Sequence, residues 1–231
     1  MPRNVYLTGE YLEKNPEWHS GEAPWKAKYI LRMLSINQLT PRTIGEVGCG
    51  TGEVLRQLQL QMDPECVFTG YDISPQAIEL SQSRQNAKLQ CHLADACKEQ
   101  DECFDLLLIL DVLEHLEDYF SFLRQVRSLG RYKLFHFPLD LSMQTVLRKD
   151  GLMKRRRMYG HLHYFTKDLA LQCLTDEEYR VLNWFYAPRQ IELATAPLEK
   201  VLRWPRILSF AIHEDIASRL LGGFSLFVLA E

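Results

Sequence analysis

This sequence lacks cysteine pairs, long apolar runs and the common catalytic signatures. None of its six cysteines forms a Cys-x-x-Cys pair, so dithiol and zinc-ribbon frameworks have no footing. Cys49, Cys66, Cys91, Cys97, Cys103 and Cys173 sit mostly inside or beside apolar segments, which reads as buried free thiols rather than disulfides or zinc ligands. The opening residues, Met1 to Glu10, hold no apolar core of signal-peptide length. No uninterrupted apolar run approaches the roughly 20 residues that a membrane span needs. A cytoplasmic protein without a membrane span is the expectation. A Gly-x-Ser-x-Gly elbow, a P-loop and a His-Glu-x-x-His helix are all missing, so the chemistries that rest on them are not indicated. Neither an internal repeat nor a linker-like tract divides the chain, and 231 residues suffice for one α/β domain over 1–231. The net charge is −3, so the molecule as a whole is not an obvious polyanion binder.

The stretch that is present and informative runs from Thr43 to Gly52, Thr-Ile-Gly-Glu-Val-Gly-Cys-Gly-Thr-Gly. A short apolar run suited to a buried strand ends in three alternating glycines, Gly48, Gly50 and Gly52. Val54, Leu55 and Leu58, with Leu60 and Met62 less regularly, then recur at helical spacing. Strand, glycine turn and helix together let a ligand approach the backbone closely. A dinucleotide fingerprint would place its third glycine at residue 53, which is Glu53. Taken alone, the turn reads equally as a plain tight turn.

Strands are predicted at 43–48, 66–72, 89–94, 105–111 and 132–138, and helices at 52–61, 75–86, 118–129 and 167–174. A helix with Pro24 in its first turn precedes them, opened by Ser20 or Glu22 and closed before Pro41. Ser74-Pro75 and Thr166 supply helix-start chemistry. The run 105–111 is apolar on both faces, as a central parallel strand covered by helices must be. This alternation predicts an α/β, doubly wound, mainly parallel sheet. Residues 1–21 read as an irregular arm. Residues 139–165 and 188–222 read as cap-like insertions, the second broken by Pro188, Pro197 and Pro205. Further strands are predicted at 180–187 and from Gly223 onward.

In an open parallel sheet the ligand edge lies beyond the carboxyl ends of the strands. There the sequence places Gly48, Cys49 and Gly50; then Asp72 and Ile73; then Asp95 and Ala96; then Leu110 and Asp111. Asp72 is placed to accept hydrogen bonds from a ribose diol, or merely to cap the next helix. Asp95, with the N–H of Ala96, is placed to address an adenine edge, or is a solvated loop acid. This ordered set resembles the class I S-adenosylmethionine (SAM)-dependent methyltransferases, in particular the small-molecule type 11 and type 12 groups. The matching segments are Glu46 to Gly52, Asp72, Asp95-Ala96, Asp111-Val-Leu-Glu-His-Leu-Glu-Asp118 and His161-Leu-His-Tyr-Phe-Thr166. The resemblance covers roughly residues 20–185 and the final strand. It implies a seven-stranded sheet with an antiparallel last strand, S-adenosyl-L-methionine as cofactor, and methyl transfer to a small-molecule acceptor. Glu46 would then help hold the donor's ammonium group or stabilise the turn. Trp25-Lys26 would belong to an N-terminal lid, or else Trp25 packs and Lys26 is solvated.

The catalytic candidates are Asp111, His115, His161 and His163. Asp111 and His115 lie four apart and would share a face if helical; they either line the methionine end and the acceptor pocket or, for His115, cap and pack. His161 and His163 would face one side of an extended segment, as pocket wall, general base or ordinary packing. A metal site there would need a third ligand that the sequence does not identify, and no metal is assigned. Arg148, Lys149, Lys154, Arg155, Arg156 and Arg157, with Asp150, contribute +5 and leave −8 for the rest. The cluster is either a solvated loop or a mobile cover over the pocket that meets an anionic acceptor. A nucleic-acid partner is not expected, because no wide basic face or stacking motif accompanies it. An RNA or protein methyltransferase, or a SAM-binding regulatory protein without catalysis, are the alternatives.

Overall fold

The computed structural model describes residues 12–13, 15–18, 20–98, 103–195 and 197–231, so most of the arm expected over 1–21 lies outside the described residues. The first long helix, α1 (Ala23–Ile36), follows a single 3-10 turn at Ser20–Glu22 and carries its proline in the first turn. Strands and helices then alternate: β1 (Thr43–Val47), α2 (Glu53–Gln59), β2 (Val67–Asp72), α3 (Pro75–Ser81), β3 (Leu89–Leu93), β4 (Phe104–Leu110), α4 (Tyr119–Val126) and β5 (Gly130–Pro138). After them come α5 (Met143–Leu147), α6 (Gly151–Tyr159), α7 (Lys167–Asp176), β6 (Val181–Ala187), α8 (Arg189–Glu192), α9 (Pro197–Ile212), α10 (Glu214–Leu221) and β7 (Ser225–Ala230).

The seven strands form one sheet in the order β3-β2-β1-β4-β5-β7-β6. The neighbours from β3 to β5 pair in parallel, and β7 runs antiparallel to both β5 and β6. Alternation along β4 explains its unbroken apolar run. Leu106, Leu108 and Leu110 enter a core with Ile30, Met33, Leu55 and Leu58 from α1 and α2. Leu107 and Ile109 enter the opposite core with Leu123, Val126, Ala170 and Leu174 from α4 and α7. Ser74 and Thr166 cap their helices as read, accepting from the N–H groups of Ala77 and Leu169. The cysteines are free; Cys49, Cys66, Cys91 and Cys173 are buried, Cys97 is half-buried and Cys103 is exposed.

Three expectations about the chain are corrected. The helix predicted at 75–86 stops at Ser81 and tightens into a 3-10 turn at Gln82–Arg84. Residues 139–165 hold two helices rather than a loop. Ser142 caps α5 by accepting from Thr145 N–H, and Gly160, at φ 83°, ends α6 in the left-handed conformation. Pro205 breaks nothing, since α9 runs through it. The carbonyl deprived of its helical partner belongs to Val201, an exposed residue, where solvent is at hand to take the place of the missing N–H.

Candidate functional site

The carboxyl ends of β1, β2, β4 and β5 open into one cleft of about 1820 Å³. This exceeds the roughly 300–1,000 Å³ of an ordinary small-molecule pocket and leaves room for two ligands side by side.

One end is built by the glycine turn. Gly48, Gly50 and Gly52 have φ of 71°, 54° and 71°, conformations a Cβ would strain. The N–H groups of Gly48 and Cys49 donate to Tyr71 O at 2.8 and 3.0 Å. Gly50 N–H donates to Asp72 Oδ2 at 2.8 Å, and Ser74 N–H donates to Asp72 Oδ1 at 2.8 Å. Asp72 therefore does cap its neighbours, and each of its oxygens keeps a second acceptor site. Burial raises the Asp72 pKa, against the backbone donors that lower it. Ile73, Asp95 and Ala96 line the same end. Asp95 accepts from Cys97 N–H at 3.1 Å and pairs with Lys98 at 3.3 Å. Trp18 packs directly on the turn, where a Cβ on Gly50 would come within 2.6 Å of its ring. Glu46 is 3% exposed, and its Oε2 has no hydrogen-bond partner among the described residues. A glycine cradle beside a buried, incompletely paired carboxylate suits a ligand with an ammonium group, as SAM has.

Burial pushes the Glu46 carboxyl well above its ordinary range; Lys26 opposes this, and Cys91, Asp72 and Asp111 add to it. The stability this group contributes is full below the unfolded value of about 4.3 and is lost as pH rises through the raised folded value. Glu46→Gln is therefore expected to gain on wild type in Tm, without SAM, as pH rises from about 5 to 8. An unchanging Tm difference across that range would contradict the displaced carboxyl.

The floor of the cleft is a buried charge cluster. Asp111, at φ 55°, pairs with Lys26 at 2.6 Å and with His136 Nδ1 at 2.7 Å. Trp25 packs edge-on against His136, with ring centroids 5.8 Å apart. Burial alone would lower the Lys26 pKa, but Asp111 outweighs it and the pKa is raised. Burial alone would raise that of Asp111, but His136 and Lys26 hold it well below the usual carboxylate range. Two expectations fail here. Trp25 and Lys26 belong to the first helix of the fold rather than to a lid, and Lys26 is buried rather than solvated. Asp111 and His115 do not share a helical face, because Asp111 is left-handed and only Leu113–His115 forms a 3-10 turn.

At the other end His161 Nδ1 meets Asp140 Oδ2 at 2.8 Å, and Arg155 pairs with the second oxygen of Asp140. The His161 ring lies edge-on to His115, with centroids 4.9 Å apart. Glu114 is 1% exposed and lines the cleft with both histidines. His163 turns away. Its Nε2 meets Leu116 O at 2.9 Å, and its ring lies edge-on to Tyr119 in a separate pocket of about 180 Å³. The expected alternation is broken because Leu162 and His163 N–H both donate to Glu114 O, at 2.7 and 3.1 Å. His163 is thus removed as a base for a ligand in the main cleft. Of the basic cluster, Arg148, Lys154, Arg155 and Arg156 line the cleft, whereas Arg157 is bound to Asp150. Sequence reading missed His136, Asp140 and Arg189, which also line the cleft; a single histidine inside the apolar β5 run was the one available signal.

A family described as "Methyltransferase domain" matches residues 46–131. The chain is 36% identical over 93 residues to O-methyltransferase 3 of Dictyostelium discoideum, covering 36% of this chain and 21% of that protein. It is 31% identical over 132 residues to ajmaline N-methyltransferase of Rauvolfia serpentina, covering 48% and 45%. The chain thus spans less than half the length of either relative. Among solved structures it resembles magnesium protoporphyrin IX methyltransferase from Synechocystis PCC 6803 with bound SAH, at TM-score 0.59 and 15% identity over 90% of this chain and 82% of that one. It also resembles the N-methyltransferase NodS from Bradyrhizobium japonicum WM9 in complex with S-adenosyl-L-homocysteine, at TM-score 0.57 and 17% identity over 89% and 84%. At such identities the structural likeness speaks for the fold. The matched family covers residues 46–131 of the chain, and the sheet order around that segment gives the whole the fold of these solved methyltransferases.

Proposed function

We propose that the protein transfers a methyl group from SAM to a small anionic acceptor. The observation that carries this is one cleft lined both by a glycine turn with buried carboxylates and by Arg148, Lys154 and Arg156. When bound, SAM supplies an electrophilic methyl group, and the protein's task is to hold donor and nucleophile in line. Glu46 offers its unpaired oxygen to the donor's ammonium. Asp72 offers its remaining acceptor sites to the ribose. Asp95, with Ala96 N–H, lies where an adenine edge would be read, and Gly48, Cys49, Gly50, Ile73 and Leu110 supply the walls. Asp111 fixes Lys26 and His136 beneath the reacting centre, as a positioning residue rather than a base. His115 and His161 face the acceptor end. Residues 139–165 serve as its cover, with Arg148, Lys154 and Arg156 meeting the acceptor's anionic group. The segment after β4, Leu110-Asp111-Val112-Leu113, differs from the Asn-Pro-Pro-Tyr type used on planar nitrogens, which favours this reading over an RNA or protein methyltransferase. Among the described residues no helix is long and apolar enough to cross a membrane, and a cytoplasmic location is part of the proposal.

Calorimetry with SAM tests the donor end. One molecule is expected to bind per chain, and Asp72→Asn is expected to weaken binding about 10- to 100-fold, the range for hydrogen bonds to a charged group. A parallel melt separates loss of ribose contact from loss of the turn. Unchanged affinity in a folded variant would remove Asp72 from the ribose. Labelled SAM, screened against extracts of small metabolites fractionated by charge, then tests transfer; labelling confined to neutral or cationic fractions would refute the anionic acceptor.

A further inference from the structure

Where β4 ends, Glu114 and His115 meet His161 from the segment between α6 and α7. The three side chains each present a ligand atom, and these atoms all lie within 4.8 Å of one another. We propose that Glu114, His115 and His161 form a binding site for a divalent transition metal ion. No single stretch of sequence contains this set, since the third ligand is forty-odd residues from the other two.

The first support is an unmet electrostatic demand. Glu114 is 1% exposed, and neither of its carboxylate oxygens has a hydrogen-bond partner among the described residues. His115 Nε2 stands 4.0 Å from its Oε1, beyond hydrogen-bond reach. A buried carboxylate without donors is costly, and a cation is one of the few things that meet the cost. The second support is the partner behind His161. Asp140 Oδ2 holds its Nδ1 at 2.8 Å, which leaves Nε2 for a ligand. A carboxylate on the far nitrogen of a liganding histidine is the usual outer partner of a metal site. Asp140 is itself fixed by Arg155. The third support is that the two segments are locked together, because Leu162 and His163 N–H both donate to the carbonyl of Glu114. The ligands are therefore held by backbone pairing between elements rather than by a loose loop.

Two imidazoles and one carboxylate suit zinc, cobalt, manganese or iron, and suit magnesium and calcium poorly, since those prefer oxygen alone. Three protein ligands leave at least one coordination position open. All three line the same cleft as Arg148, Lys154 and Arg156, so an open position would be reached from that cleft. Only this use, as a ligand position for an acceptor oxygen, rests on the methyl-transfer reading; the binding of the metal does not.

The test uses the full chain, stripped with a chelator and titrated with Co²⁺ while the visible absorption of the ion is followed. Stoichiometric binding with the spectrum of a nitrogen- and oxygen-liganded ion, displaced by Zn²⁺, is expected. His115→Ala and His161→Ala are each expected to abolish the spectrum, and Asp140→Asn to weaken binding about 10- to 100-fold, as loss of an outer partner does. Glu114→Gln keeps the shape of the side chain and is expected to weaken binding at least as much. SAM affinity by calorimetry shows whether each variant is folded, independently of the metal. Absence of stoichiometric binding in the wild type would overturn the site and leave Glu114 holding a proton alone. Undiminished binding in the folded His115→Ala/His161→Ala double variant would also overturn it, by locating the ion elsewhere. Wild-type protein that binds SAM but no metal would sink this inference and leave the methyl-transfer reading standing.

Discussion

Asp111→Asn is expected to cost about 3 kcal/mol of stability, measured by denaturant unfolding of the ligand-free protein. The substitution keeps the shape and removes the charge. Asparagine also tolerates the left-handed backbone that Asp111 adopts at φ 55°, so the loss reports electrostatics rather than strain. Lys26, whose side chain is 12% exposed, is left without its counter-ion. Breaking a buried pair from one side costs about 3–5 kcal/mol. The lower end applies because the Asp111 side chain keeps 29% exposure to the cleft. The groups around it are Lys26 and Glu22 from the N-terminal side, His136 on β5, and Glu46 and Glu114 from the strand ends. The carboxyl of Asp111 is held low, so its contribution is present above the unfolded value of about 3.9 and is lost as pH falls through the folded value. The stability gap between wild type and Asp111→Asn should therefore be full near neutrality and close in acid. A gap below about 1 kcal/mol at neutral pH would mark the pair as screened by solvent. In Lys26→Met/Asp111→Asn the loss should be less than the sum of the single losses, as a double-mutant cycle reports for coupled groups.

The second large effect concerns the cationic wall. Arg148→Gln/Lys154→Gln/Arg156→Gln is expected to weaken binding of an anionic probe, inorganic pyrophosphate, about 100-fold while leaving SAM affinity within about twofold. These three side chains line the cleft and have no ion-pair partner among the described residues. Arg155 is occupied by Asp140 and Arg157 by Asp150. Arg157→Gln is therefore the control, removing one charge of the same cluster that is already paired, with a small expected effect. Calorimetry at two salt concentrations separates long-range attraction, which salt suppresses, from bidentate contact, which persists. A loss in Arg157→Gln as large as in Arg148→Gln, Lys154→Gln or Arg156→Gln made singly would reduce the cluster to a general field. Parallel loss of SAM binding would assign the helix to the donor end.

The parts of this site that were legible in sequence are those carried by local chemistry. The glycine turn, the acids after β2 and β3 and the caps at Ser74 and Thr166 each declare themselves within a few residues. Pairings between strands do not. Leu110 lies in register with His136, which sets Asp111 beside that histidine, and only the neighbouring placement of β4 and β5 reveals it. Lys26 looked solvated because its partner stands at the end of another strand. The helix Gly151–Tyr159 escaped for a different reason. It buries none of its residues, so it has no apolar period to read, although its Lys, Arg, Leu and Met are good helix formers and Gly160 marks its end. His163 misled because two N–H groups converging on one carbonyl break the alternation of an extended chain.

The position of β7 also has a bearing on biosynthesis. Of the seven described strands it is made last, yet it lies inside the sheet, with β5 on one side and β6 on the other, and all six of its residues are buried. Until residue 225 has been added, the open edge of β5 has nothing to pair with, and β6 has no neighbour at all. At ordinary elongation rates that interval lasts on the order of ten seconds. During it the nascent chain presents an apolar, unpaired strand edge, the feature most prone to intermolecular pairing. The half of the sheet that carries the glycine turn can close early, whereas the half that holds His136 cannot. Yield of the intact protein should accordingly depend on how well that edge is shielded during synthesis.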